Sequence, residues 1–291
     1  MVSMKAENLR GHYPLTDTEK RPLQLVPYGL IVTRTWLLNQ GVPRYRIDNW
    51  VRRKELKSLS PGVFTRPDLL KLPWQGVVCS LQRMGSNLIP GGLTAIDLLG
   101  AGHYLTFASA QKIHLYGTDP LPAWINKIVP GTVFIRHNSR RLFRPAMDDL
   151  APLKQSQSNS DPVVEVTQVI SWGIDDWPLT ISSLERACLE VLLDVPELIS
   201  FEYADQLLQG MTSLSPGRLN HLLERCHNVK AKRLFLWFAE NQNHPWLKKL
   251  DRGKFSLEGG ALGAGKRRLI KGGKLDPKYL ITIPREVYEM E

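Results

Sequence analysis

WLLNQGVPRYRIDNWVRRKEL, residues 36–56, followed by SPGVFTRP, residues 60–67, is the stretch on which the reading of this fold turns. A capping-type hydroxyl at Thr33 precedes Trp36, Leu37 and Leu38, and Gly41 closes the segment, which predicts a short helix. Pro43 suits the first turn of a second helix, in which Ile47, Trp50 and Val51 recur at i, i+3 and i+4. Gly41 permits the positive φ that a tight turn between helices requires. Val42, Ile47 and Trp50, completed by Leu37, then form a wedge holding the pair near right angles. Behind this helix-turn-helix, Pro61-Gly62 between two short apolar runs predicts a tight hairpin, the wing.

A helix held in this way presents Arg44, Tyr45, Arg46, Asn49, Arg52 and Arg53 outward, where major-groove edges and flanking phosphates are met. Arg46 and Asn49 have the donor and acceptor patterns for base contact. Arg52, Arg53 and Lys57 suit phosphates, while Ser60 and Arg66 on the wing are placed for the adjacent backbone or minor groove. The plainer alternative is an amphipathic helical pair with a solvated basic face.

Charge distribution separates these readings better than total charge does. The net charge is +10, and residues 1–72 hold 13 Lys and Arg against 6 Asp and Glu. The counts are 8 against 4 over residues 73–160, 8 against 12 over 161–250, and 9 against 6 over 251–291. Positive charge thus gathers at the front, as expected of a segment that follows a phosphate backbone. Hydrophobic residues at 43% and charged residues at 23% exclude a disordered chain. No apolar run approaches the ~18 residues of a membrane span. Lys5, Glu7 and Arg10 stand where a signal peptide needs apolar residues, so a cytoplasmic protein is expected. Cys79, Cys188 and Cys226 are odd in number and widely spaced, which argues against disulfides and for buried reduced thiols.

Outward from the decisive stretch, a short helix is expected at residues 4–10, and three units follow from the punctuation. These are a winged helix-turn-helix over residues 1–72, an α+β middle unit over 73–160, and a largely helical unit with a terminal hairpin over 161–291. Helices are expected at Trp74–Ser86 and Gly92–Leu99, and strands at Lys112–Tyr116, Thr132–Arg136 and Val163–Ile170. The polar tract KQSQSNSD, residues 154–161, reads as a link or surface loop. From Thr180 to Leu250 the pattern becomes helical, with four helices, and KRRLIKGGKLDPKYLITIP closes the chain as a basic hairpin. The fold class is therefore α+β.

Searches for chemistry return lookalikes. Residues 260–266 satisfy the G-x-x-x-x-G-K phosphate cradle, but Arg267 replaces the magnesium-holding hydroxyl and Gly272-Gly273 would break the helix that must follow. His221, Cys226, His227 and His244 have poor spacing for a metal, so no metal and no cofactor are expected. Asp148-Asp149 and Asp175-Asp176 are adjacent carboxylates, which face apart on a strand and read as solvated loop charges. Neither a nucleophile elbow nor a metalloprotease signature is found, and no catalytic residue is assigned. Lys266, Arg267, Arg268, Lys271, Lys274 and Lys278 are dense enough to form a second basic surface, for phosphates or an acidic partner; a solvated hairpin face accounts for them equally.

The succession of segments resembles the AbiEi family of antitoxins, in its longer branch with a middle unit. The resemblance is carried by the helix pair and wing quoted above, GGLTAIDLLG with GHYL, KIHLYG, SSLERACLEVL, VKAKRLFLWFAE and KRRLIKGGKLDPKYLITIPRE. It implies an abortive-infection-like antitoxin, without enzymatic activity, that binds inverted-repeat operator DNA to repress its own operon. The same resemblance implies that the chain counteracts a nucleotidyltransferase-like toxin, as type IV antitoxins do, without a stable complex. Operator binding falls on Arg44, Arg46, Asn49, Arg52 and Arg53, and antitoxicity on the C-terminal domain. Two other classes stay open: a nucleic-acid-processing or nucleotide-using enzyme whose winged helix delivers substrate to Lys266, Arg267 and Arg268, and an interaction module without DNA specificity.

Overall fold

In the computed structural model, which describes residues 22–102, 110–143, 166–257 and 269–285, the Thr33 hydroxyl accepts a hydrogen bond from the Trp36 amide at 3.2 Å. That cap turns a three-residue strand directly into a helix. The N-terminal unit, residues 1–72, runs α1 (Pro22–Leu25), β1 (Ile31–Thr33), α2 (Arg34–Asn39), α3 (Arg44–Arg52), β2 (Lys57–Ser60) and β3 (Val63–Thr65). Gly41 has φ 81° between α2 and α3, and the Val42 amide returns to the Leu37 carbonyl at 3.0 Å, closing α2 as the turn begins. Gly62, at φ 74°, makes the wing turn. The three strands are antiparallel in the order β1-β3-β2. Together these elements make a winged helix-turn-helix within an α+β chain. Strand β1 was not among the expected elements, because three residues are too few to display an alternation.

The wedge inferred from spacing forms the core of this unit. Leu37, Val42, Ile47, Trp50, Leu56 and Phe64 pack in one cluster, with Leu37 and Ile47 at 0% exposure. Burying a side chain of that size stabilises by about 1.5–3 kcal/mol, so the helix pair is fixed mainly by its own apolar face.

The second unit comprises residues 73–291. Helix α4 (Trp74–Arg83) is followed by β4 (Ile89–Pro90), α5 (Gly92–Leu98), β5 (Gln111–Gly117), α6 (Ile125–Ile128) and β6 (Thr132–Asn138). Strand β5 lies in the middle, antiparallel to β4 and parallel to β6. A hairpin of β7 (Thr167–Trp172) and β8 (Trp177–Ser182) leads into α7 (Leu184–Leu193), α8 (Phe201–Gln209), α9 (Pro216–Arg225) and α10 (Val229–Asn241). Ser183, Ser200, Ser215 and Asn228 cap these four helices, each side chain accepting the amide three residues on. A short antiparallel pair, β9 (Lys274–Leu275) and β10 (Thr282–Ile283), forms the terminal hairpin. Ala95, Ile96, Leu142 and Phe143 share one core cluster with Leu189, Leu192, Leu234 and Phe235.

The helical pattern expected from Thr180 begins later. Thr180–Ser182 belong to β8, with Leu179, Ile181 and Ser182 buried and Pro178 exposed. Gly173 at φ 81° and Asp176 at φ 51° make the hairpin tip that a reading of Asp175-Asp176 as loop charge leaves undrawn. The expected helix at residues 4–10, the polar tract 154–161 and the cradle lookalike 260–266 lie outside the described residues.

Gly91 and Gly92 are required by close approach. A Cβ on Gly91 would meet the Glu190 carboxylate and would lie 2.5 Å from the Tyr116 ring, while Gly92 has φ +52°. The Gly92 amide instead donates to Glu190 Oε2 at 2.8 Å, and Glu190 Oε1 accepts from Ser182 Oγ and Arg186 Nε at 3.0 and 2.7 Å. One fully buried carboxylate thus joins its own helix α7 and the adjoining end of β8 to the distant start of α5.

Candidate nucleic-acid interface

Three apolar residues of α3, Ile47, Trp50 and the half-buried Val51, set the direction of everything else on it. At 3.6 residues per turn the face turned away from them holds Tyr45, Asn49 and Arg52, with Arg53 and Arg46 on one flank and Asp48 on the other. Tyr45 is 69% exposed, Arg44, Arg52 and Arg53 are exposed, and Arg46 and Asn49 are half-buried. Arg52 Nη1 donates to Asn49 Oδ1 at 3.1 Å. Arg46 lies over the Trp50 ring, 5.8 Å from its centroid, a contact that directs the guanidinium along the helix surface.

The wing supplies Lys57, exposed on β2 opposite Thr65, and Ser60, half-buried beside the turn. Arg66 is tied down. Its Nε and Nη2 donate to the two carboxylate oxygens of Asp68 at 3.1 and 2.9 Å, and it lies over Tyr28. Its fork is therefore already engaged on a carboxylate.

The second basic set is divided. Lys266, Arg267 and Arg268 lie outside the described residues. Lys271 is exposed, Lys274 lies on β9, and Lys278 pairs with Glu240 at 2.6 Å, where Arg252 also binds at 2.8 Å.

Two arrangements escaped the sequence reading. Arg34, at the start of α2, reaches Asp48 of α3 at 2.7 Å, fourteen residues on; the lone acid in an otherwise basic helix was the available signal. In the second unit His114 Nδ1 and His137 Nε2 are 2.9 Å apart, and His137 Nδ1 is 3.4 Å from Asp194 Oδ2. Burial pushes both imidazoles down to about 4, helped for His114 by its neighbour His137 and for His137 by Arg141. Both rings are therefore uncharged at neutral pH, and the approach to Asp194 is no ion pair there. No spacing rule joins residues from two parallel strands to one beyond a helix end.

Among the described residues no group of three or more His, Cys, Asp or Glu side chains could hold a metal ion. His244 is buried with Nε2 against the Leu208 carbonyl, and burial pushes the Cys226 thiol up to about 11, leaving it protonated. Among those residues no helix is long and apolar enough to cross a membrane.

Residues 110–284 match the family described as transcriptional regulator, AbiEi antitoxin, type IV toxin–antitoxin system. Residues 19–107 match the N-terminal domain of the same antitoxin class. No curated protein matches the chain. Among solved structures, the Rv2827c protein from Mycobacterium tuberculosis is similar at 16% identity and a TM-score of 0.47, over 90% of this chain and 89% of that one.

Proposed function

The chain belongs to the AbiEi antitoxin family of transcriptional regulators of type IV toxin–antitoxin systems, and we propose that it represses its own operon by laying α3 in the major groove of inverted-repeat operator DNA. Asn49 and Arg46 read bases, Arg44, Arg52, Arg53 and Lys57 hold phosphates, and Tyr45 covers a sugar or base edge. Ser60 contacts the adjacent backbone, and Arg66 joins it once it exchanges Asp68 for a phosphate. The observation that carries this reading is the shared face of Tyr45, Asn49 and Arg52, opposite the core-facing Ile47 and Trp50.

The remainder of the chain, residues 73–160 together with 161–291, counters a nucleotidyltransferase-like toxin in the cytoplasm and performs no catalysis of its own. A reporter placed behind the chain's own upstream region tests the first part. Expression should fall when the chain is supplied and return with the Arg46→Ala plus Asn49→Ala double variant. Unchanged expression in the presence of the intact chain would remove autorepression. Co-expression with the neighbouring toxin tests the second part. Growth should be rescued by residues 73–291 within the full chain even when α3 is mutated, and loss of rescue with α3 alone mutated would contradict the division.

A further inference from the structure

We infer that Arg34 is a positioning residue which, through Asp48, fixes the angle between α3 and the wing; this rests on the DNA-reading role proposed for α3. One side chain and its amide touch three elements. The Arg34 amide donates to the Gly62 carbonyl at 2.7 Å, at the turn of the wing. Its Nη1 donates to Asp48 Oδ1 at 2.7 Å on α3. Its guanidinium carbon lies 5.4 Å from the ring centroid of Phe64, which is on the wing strand β3 and buried in the core.

The pair is 31% and 44% exposed, so it contributes little to folding and its value lies in geometry. Arginine presents a planar fork whose direction is set by its stack on Phe64, and that direction selects one position of Asp48. Asp48 adjoins Asn49, so a rotation of α3 that frees Asp48 also swings the proposed reading face. The same bond neutralises the acid on a helix whose other charges are arginines, removing a carboxylate that would repel phosphate. Recognition helix and wing must meet the duplex together, so both effects favour one register.

The test has a DNA-free arm and a DNA arm, both on the full chain. All three native cysteines are buried, so spin labels on Tyr45→Cys and Ser58→Cys report α3 against the wing. The parent should give one narrow distance distribution. Arg34→Gln and Asp48→Asn should each broaden or shift it, and Arg34→Lys, which keeps the charge but not the fork, should fall between. In the DNA arm, Arg34→Gln and Asp48→Asn should lower the preference for upstream over random duplex by a factor of about 3 to 10. Unchanged distances in both variants would overturn the inference whatever the DNA result. Unchanged distances with uniformly weaker binding and a shallower salt slope would make Arg34 a phosphate contact instead. A parent with no sequence preference would remove the DNA-reading role, while the distance arm would still decide whether Arg34 sets the angle.

Discussion

Arg52 reaches back one turn along α3 and donates from Nη1 to Asn49 Oδ1 at 3.1 Å. The bond orients the amide plane. Its carbonyl oxygen accepts from a cation on the same helix through one lone pair, which leaves its second lone pair for adenine N6–H and an Nδ2 hydrogen for N7, the pattern a bidentate contact needs. On the proposed reading Arg52 and Arg53, adjacent in sequence, would therefore have different tasks.

Arg53→Ala should weaken binding to every duplex alike and reduce the salt slope by about one phosphate, ~0.9 in log–log terms. Arg52→Ala should in addition narrow the gap between upstream and random duplex, because Asn49 loses its brace. Titrations at several salt concentrations distinguish the two; equal behaviour of both variants would show that the Arg52 to Asn49 bond does not matter on DNA.

Glu190 is the point where the second unit is most easily broken. Replacing it with alanine leaves the buried Arg186 guanidinium, whose Nη2 has no hydrogen-bond partner among the described residues, without its carboxylate. The expected loss is about 3–5 kcal/mol. Gly91→Ala should cost about 1–3 kcal/mol, because its Cβ must displace Glu190 and Tyr116. Urea unfolding curves check both, and a Gly91→Ala midpoint equal to the parent's would contradict the close approach.

Acid should destabilise the second unit through His114 and His137. Both folded-state values are depressed to about 4, so the unfolded chain takes up protons first as pH falls. Their contribution is complete above about 6.5 and is lost as pH drops towards 4, by about 2 kcal/mol per imidazole between pH 7 and 5 and less than twice that for the coupled pair. The Asp194 carboxyl, pushed up by burial, acts in the opposite sense, in the carboxylate range. His137→Gln should flatten the dependence of unfolding free energy on pH in that window. An equally steep variant would place the acid sensitivity elsewhere.

The three cysteines should be silent towards thiol reagents in the folded chain. All are buried, and burial pushes Cys79 up to about 12 and Cys226 up to about 11, with Cys188 raised further. Disulfide-exchange reagents should count no thiols natively and three in denaturant. Rapid native labelling of any one would contradict its burial.

These cases also separate what sequence can reveal from what it cannot. Helices announce themselves through side chains four residues apart, and Leu37, Ile47, Trp50 and the cap Thr33 were legible because their partners are near in the chain. Gly41 and Gly62 were legible for the same reason. Strands of two or three residues, such as Ile31–Thr33 and Ile89–Pro90, carry no period at all, and β8 was hidden by the apolar helix that follows it. The charged face of α3 could be read from spacing; the Arg34 to Asp48 bond depends on how the turn sets α2 against α3, and the Arg52 to Asn49 bond within α3 on the side-chain rotamers. His114, His137 and Asp194 meet only because β5 and β6 run parallel in a fixed register, with His114 paired to Ile135.

The central claim is that α3 reads a specific duplex, and fluorescence-anisotropy titration of the full chain with its own upstream DNA tests it most directly. Against a scrambled duplex of equal length, the affinity should be higher by about a thousandfold or more at moderate salt. Both curves should weaken steeply as salt rises. Equal affinity for the two duplexes at every salt concentration would contradict the account.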